Sequence, residues 1–373
     1  MPGDTERDEL SVLTALRADH GPVFLRRPGE IWVADPLVAK DVLGNASGLY
    51  REHSDFFQTR HGLFGPRSAQ TEIGKAARAL LRAHADGVRE AAQRIPSVSR
   101  WPDTANLLMY EHFRHVLIRP SAPPTLRHLV DDVVRHAVLA GARERRSPVA
   151  RAALRTRVTR GLAAEICARR GDAAGDDILG VVARLCPERP SRRELAQLTE
   201  VFLSCLFAVA GSVGFLLAWS VYLLGTGYVP DAPPDLVVRE ALRLWPVAWL
   251  FGRTPAVAHT VGGIRVTPRD EVLVCGYLVQ RDGRYWDAPD EFRPGRWAGV
   301  ERGQREAFIP FGWGPHACTG ATLAMTAAQD VLAGMTARYR IKVETHGDRP
   351  HVAAALAPPP FTLRLSPLAR ERR

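Results

Sequence analysis

Apolar positions recur every three or four residues along most of the chain, and that period reads as amphipathic helix. Helices are predicted at Glu9 to Asp19, from Asp35 and Pro36 through Val42, at Thr71 to Val88, Ala105 to Ile118 and Thr125 to Leu139, broken by Pro96, Pro102, Pro120, Pro123 and Pro124. Val149 to Arg169 is a further amphipathic stretch, and Asp176 to Leu185 another, capped by Asp176 and Asp177. Alternation is rarer. Val23 to Leu25 and Ile31 to Val33 read as a hairpin with Pro28, Gly29 and Glu30 at the turn. The balance predicts a mainly α chain with small β-sheets.

One segment departs from amphipathicity. Val201 to Leu224 carries no charged residue and is long enough to span a bilayer. A helix apolar all round is equally what runs through the centre of a large soluble protein, and spanning would strand the first half of the chain from the chemistry at Cys318. It is read as a core helix, with no membrane.

The 373 residues can bury a substantial core, and no Ser/Gly-rich linker divides them, so one large domain over residues 1–373 is expected. The five cysteines, Cys167, Cys186, Cys205, Cys275 and Cys318, lack metal-ligand or disulfide-framework spacing. That fits a reducing compartment, and Gly3 to Glu9 is acidic and polar with no signal segment, so a cytoplasmic location is expected. The net charge is +10 and almost all basic residues are arginine, Lys40, Lys75 and Lys342 being the lysines. Stretches such as Arg143 to Arg146 read as a solvated face, without the aromatic interleaving that would stack on bases, so no nucleic acid is expected. A basic surface would steer an acidic electron-transfer protein.

The chemistry concentrates in Phe311, Gly312, Trp313, Gly314, Pro315, His316, Ala317, Cys318, Thr319 and Gly320. Gly312 and Gly314 let the backbone fold tightly under a flat ligand, and Gly320 would do the same on the far side. From Ala321 the pattern is helical, with Leu323, Ala324, Ala327, Ala328, Val331, Leu332 and Met335 in register, so Cys318 stands near a helix N-terminus. Free N–H groups and the helix dipole there lower a thiol's pKa and stabilise the anion.

The order F-G-x-G-x-H-x-C-x-G resembles the haem-binding signature of the cytochrome P450 superfamily. The resemblance implies the cytochrome P450 fold and a haem b (iron protoporphyrin IX) ligated by the Cys318 thiolate, a ligand that favours O–O cleavage. It implies that Phe311 shields the sulfur. His316 and Arg253, the latter followed by Thr254 and Pro255, are implied partners of the haem propionates, since a guanidinium suits a carboxylate. Arg78, on the third helix with Gly74 where many relatives have histidine, is another candidate.

Glu240, Ala241, Leu242, Arg243 places two charges on one helical face. Alone, E-x-x-R is a weak signal. Pro289 to Trp297 is similar to the family's second signature, whose arginine joins that pair, and this assigns Glu240, Arg243 and Arg296 to a buried structural network.

Ala210, Gly211, Ser212, Val213 and Gly214 align with the family's A-G-x-acid-alcohol segment, with Ala210 and Gly211 as the oxygen-side wall. Val213 stands for the acid and Gly214 for the alcohol, and neither can relay the protons that O–O cleavage needs. Ser212 is a remaining hydroxyl, about 100° round the helix from Val213; Ser204 lies about 10 Å from Gly211 along the axis. The family's lid also looks reduced, because Gly141 to Asp176 is short for two helices and a loop, and Gly225 to Pro234 is Gly/Pro-rich where a helix would be expected.

The resemblance therefore implies a monomeric haem-thiolate monooxygenase of secondary metabolism, including antibiotic biosynthesis, acting on a small molecule with electrons from NAD(P)H through a ferredoxin and ferredoxin reductase. A substrate hydroxyl or ordered water would complete the relay. The alternatives are a peroxide-driven or non-oxygen-inserting catalyst, for coupling or rearrangement, and a P450-like helper that binds a biosynthetic enzyme. The intact cysteine signature argues against the helper.

Overall fold

A computed structural model of the chain describes residues 9–52, 58–59, 62–139, 147–171, 175–227, 231–347 and 349–368. The acidic stretch before Glu9, the basic stretch Arg143 to Arg146 and the start of the Gly141 to Asp176 interval lie outside the described residues.

In chain order the main elements are α1 (Glu9–His20), β1 (Val23–Arg27), β2 (Glu30–Val33), α2 (Pro36–Gly44), α3 (Arg67–Ala83), β3 (Val98–Trp101), α4 (Asp103–Leu117), α5 (Pro124–Val133), α6 (Pro148–Ala168) and α7 (Ile178–Ala183). They continue with α8 (Arg192–Thr226), α9 (Pro234–Leu244), β4 (Leu250–Arg253), β5 (Glu271–Cys275), α10 (Ala321–Thr336), β6 (Tyr339–Thr345) and β7 (Phe361–Pro367). The fold is mainly helical with small sheets. The chain forms two compact units, each drawn from separate stretches of sequence: one from residues 1–55, 231–318 and 348–357, the other from 56–230, 319–347 and 358–373.

In the first unit, a sheet of order β1-β2-β5-β4 separates two apolar clusters. Side chains alternate across a strand, so Ile31 and Val33 pack with Val272, Val274, Phe251 and Ile309, while Trp32 joins Phe24, Leu10, Leu13 and Trp249 on the other face. The turn before β2 holds Gly29 at φ +81°, a conformation suited to glycine. Asp35 starts α2 by accepting bonds from the Leu37 and Val38 amides, with Pro36 in the first turn where its missing N–H costs nothing.

In the second unit, α8 packs against α4 and α10, and an antiparallel sheet of order β6-β7-β3 lies within the same unit. By length and composition α8 would pass as a membrane span, yet most of it is buried in protein. Its run Val213–Thr226 is almost completely buried, which is why its sequence has no polar stripe.

Several boundaries differ from the sequence pattern. Helix α3 starts at Arg67 and stops at Ala83 rather than running to Val88. The Thr125 to Leu139 helix becomes a π turn at Val134–Val138. Helix α7 is shorter than the pattern implied, and its cap is Asp177 alone, which accepts from the Gly180 amide. Among the described residues between Gly227 and Pro234 there is no helix.

Candidate functional site

Cys318 is the exposed cysteine of the chain. Cys186, Cys205 and Cys275 are buried, and burial pushes the thiols of Cys205 and Cys275 up to about 12, leaving both inert as nucleophiles or ligands. Its loop is closed by the Cys318 amide donating to the Phe311 carbonyl at 2.9 Å, with the Gly312 amide on Ile309 O and the Ala317 amide on Gly314 O, each at 3.1 Å.

Gly312 and Gly314 both take φ +73°. A Cβ on Gly314 would sit 2.8 Å from the Gly44 Cα at the end of α2, so the glycine also permits two backbones to touch. Gly320 differs from the sequence reading. It is the N-cap of α10 at φ −91°, an ordinary conformation, so no left-handed turn is made on that side. Trp313 is exposed beside Lys40, whose ammonium lies 3.7 Å from the ring centroid.

Behind this loop, in the same unit, Glu240 and Arg243 are fully buried on α9. Arg243 donates Nη2 to Glu240 Oε1 at 2.8 Å and Nε to Oε2 at 2.9 Å. Arg296 Nε donates to Glu240 Oε1 at 3.0 Å and the Trp297 indole to Oε2 at 2.8 Å. The remaining Arg243 donors reach the carbonyls of Gln280, Pro289 and Glu291. Every lone pair and proton of a costly buried ion pair is thus used.

One residue of this assembly carried no sequence signal, and another had a place in the Pro289 to Trp297 stretch but no assigned partner. Gln280, fully buried, donates to Leu242 O and Arg243 O and accepts from the Ile309 amide, tying the last turn of α9 to the segment entering the cysteine loop. The Trp297 indole and the Arg293 amide complete the set of donors to Glu240. A lone Gln has no readable partner until the chain is folded.

Arg253 ends β4 buried, donating to the Gly252 carbonyl at 2.8 Å. His316 is half-buried in the short turn Gly314–His316, two residues before Cys318.

In the second unit, Gly74 faces Thr319, with an added Cβ 3.2 Å from its Oγ1. Arg78 lies one turn along α3 from Gly74, exposed.

Helix α8 presents a half-open stripe made by Glu200, Leu203, Ser204, Phe207, Ala208, Ser212 and Val213, interrupted by a π turn at Phe207–Ser212. That extra residue resets the register. Ala210, fully buried, and Gly211, under the Phe207 ring, lie off the open stripe, which is formed there by Ala208, Ser212 and Val213. Gly214 is packed on α4, where a Cβ would lie 2.7 Å from the Asn106 Cα. No alcohol fits there. Ser212 is on the open stripe.

The donor set suits a haem-thiolate ligand: an exposed thiol on a loop shaped by two left-handed glycines, braced from behind by a buried ion-pair network, with an arginine and a histidine in the same unit. A family model described as Cytochrome P450 matches residues 235–364. Cyclooctatin synthase of Streptomyces melanosporofaciens is 40% identical over 109 residues, 28% of this chain and 24% of that protein. Pentalenene oxygenase of Streptomyces avermitilis is 28% identical over 228 residues, 54% of this chain and 51% of that protein. The matches thus span about half the length of these curated relatives, or less. The open structure of cytochrome P450 EryK from S. erythraea aligns with a TM-score of 0.71 at 20% identity, covering 99% of this chain and 100% of that one. The family model thus falls on the stretch that carries the buried network and the cysteine loop, residues 235–364, and along the rest of the chain the likeness to cytochrome P450 structures is one of fold.

Proposed function

We propose that residues 1–373 act as one haem-thiolate domain, an oxidoreductase of monooxygenase type on a small-molecule, secondary-metabolite substrate. The observation that carries this reading is the exposed Cys318 thiol on a glycine-shaped loop backed by the Glu240–Arg243–Arg296 network. The relatives named for cyclooctatin and pentalenene support the substrate class.

Cys318 would hold the iron of haem b, with His316 and Arg253 on the propionates and Arg78 a further cation. Phe311, Gly312 and Gly314 would shape the cradle, with Gly320 at the start of α10 on its far side. The bound group would supply the dioxygen-activating chemistry, with electrons from NAD(P)H through a ferredoxin and its reductase.

The chain's own residues set how protons arrive. Val213 carries no proton, and position 214 is closed by α4. Ser212 is the hydroxyl available on the open stripe, and it makes no bond back to its own helix of the kind that occupies Ser204 and Ser220. We assign it the proton-handling position, completed by water or by a substrate hydroxyl. A monomer in the cytoplasm is part of the same reading.

The test is a ferrous–CO difference spectrum at the family's characteristic position, followed by turnover under labelled dioxygen. A preparation without Soret absorption would favour a helper role. Product without label would favour the second reading, a peroxide-driven or non-oxygen-inserting catalyst, which the missing carboxyl at Val213 supports.

A further inference from the structure

Asn106 is a fully buried amide on the inner face of α4. Its Nδ2 donates to two successive carbonyls of α8, Ala210 O at 2.8 Å and Gly211 O at 3.0 Å. Both lie in the π turn Phe207–Ser212. One turn on, Gly214 packs against the same asparagine, where a Cβ would come 2.5 Å from Nδ2 and 2.9 Å from the Asn106 amide nitrogen. The helix is therefore anchored to α4 at two carbonyls and at one glycine, all through a single residue.

Three features make this more than packing. A π turn is a local widening that an α-helix does not keep without outside support. Two carbonyls reaching one amide is such support, since a hydrocarbon of the same shape would leave both without that donor. Asn106 Oδ1 is buried with no donor. A polar side chain half-satisfied in a core is retained at a cost, so the work is done by its N–H groups.

The widened turn decides which residues follow on the open stripe. Ser204 and Ala208 are four apart, Ser212 comes four further on with Val213 beside it, and Gly214 turns to α4.

We infer that Asn106 is the positioning residue for the central helix: by holding the π turn open at Ala210 and Gly211 it sets the place of the Ser212 hydroxyl. The consequence for Ser212 rests on the role assigned to it under Proposed function. The hold on the turn does not.

The test uses Asn106→Leu, with isosteric Asn106→Asp as a second variant should the first fold poorly, alongside Ser212→Ala and the Asn106→Leu/Ser212→Ala double. Amide exchange in the protein as purified reads the turn directly, whether or not haem is bound. Protection over 207–216 should fall at least tenfold in either Asn106 variant while α10 is unchanged. With carbon monoxide as probe, the C–O stretch of the ferrous complex should move in Ser212→Ala. Asn106→Leu should move it the same way, with no further change in the double.

Unchanged exchange over 207–216 would overturn the inference. So would a C–O band that moves in Ser212→Ala but keeps its wild-type position in Asn106→Leu. If Ser212→Ala leaves the band in place, the role given to Ser212 fails, and exchange alone then decides the role of Asn106 in the turn.

Discussion

Glu240 and Arg243, one helical turn apart on α9, meet in a two-bond ion pair with neither side chain exposed. Removing Glu240 leaves the Arg243 guanidinium in the core without its carboxylate, and removing Arg243 leaves Glu240 with Arg296 as its remaining counter-ion. Arg243→Ala or Glu240→Ala is expected to cost about 3–5 kcal/mol of stability, read by urea unfolding. Because Gln280 ties the same turn to Ile309, haem retention should fall as well. Equal stability in either variant would show that the network does not hold this unit.

The cysteines separate by environment. In haem-free protein, alkylation should modify Cys318 well before Cys205 or Cys275, whose buried thiols stay protonated at neutral pH. Cys318→Ala should lose the ferrous–CO band, whereas Cys205→Ala should keep it. Persistence of the band in Cys318→Ala would remove the basis of the proposed function.

Position 214 distinguishes alignment from structure. Installing threonine there to match the family pattern should not build a relay, since the side chain would strike the backbone of α4. Gly214→Thr is expected to destabilise by about 1–3 kcal/mol, measured by thermal or urea unfolding. Val213→Asp, on the open stripe, is the variant expected to improve coupling, read as less peroxide released per reductant consumed.

Acid stability should decline in two windows. Burial, and then the positive charges of Arg94 and His115, hold the His112 imidazole below its ordinary 6.5 while its Nε2 donates to His84 O; His115 is lowered too, chiefly by burial. A histidine depressed in the folded state binds its proton more readily when unfolded, so stability falls as pH drops below about 6.5.

Asp35 and Asp282 behave oppositely in charge but alike in direction. Burial works to raise both carboxyls, yet bonds from Arg284 and from backbone amides hold them below 3.8. Their contribution is complete above that value and is lost as pH falls through the folded pKa. Arg284→Ala should therefore weaken the protein at neutral pH and flatten the steepest acid limb. An unfolding midpoint independent of pH between 7 and 5 would contradict the histidine assignment.

The residue pattern alone determined much of this molecule. Helical period placed α1, α2, α4 and α6 to within a few residues, because each buries one stripe and exposes the other. The glycine-flanked cysteine and the E-x-x-R pair were legible because the chemistry lies within a few consecutive residues. What only the tertiary structure decided lies between distant segments. Asn106 and Ala210 are 104 residues apart in sequence and 2.8 Å apart in space. A π turn adds one residue to a helical turn without any mark in composition, and that single residue moves Gly214 to the packed side of α8 while Ser212 stays on the open one. Periodicity assumes a constant rotation per residue; packing against α4 breaks that assumption, and so the facing of the central helix had to be read from the fold.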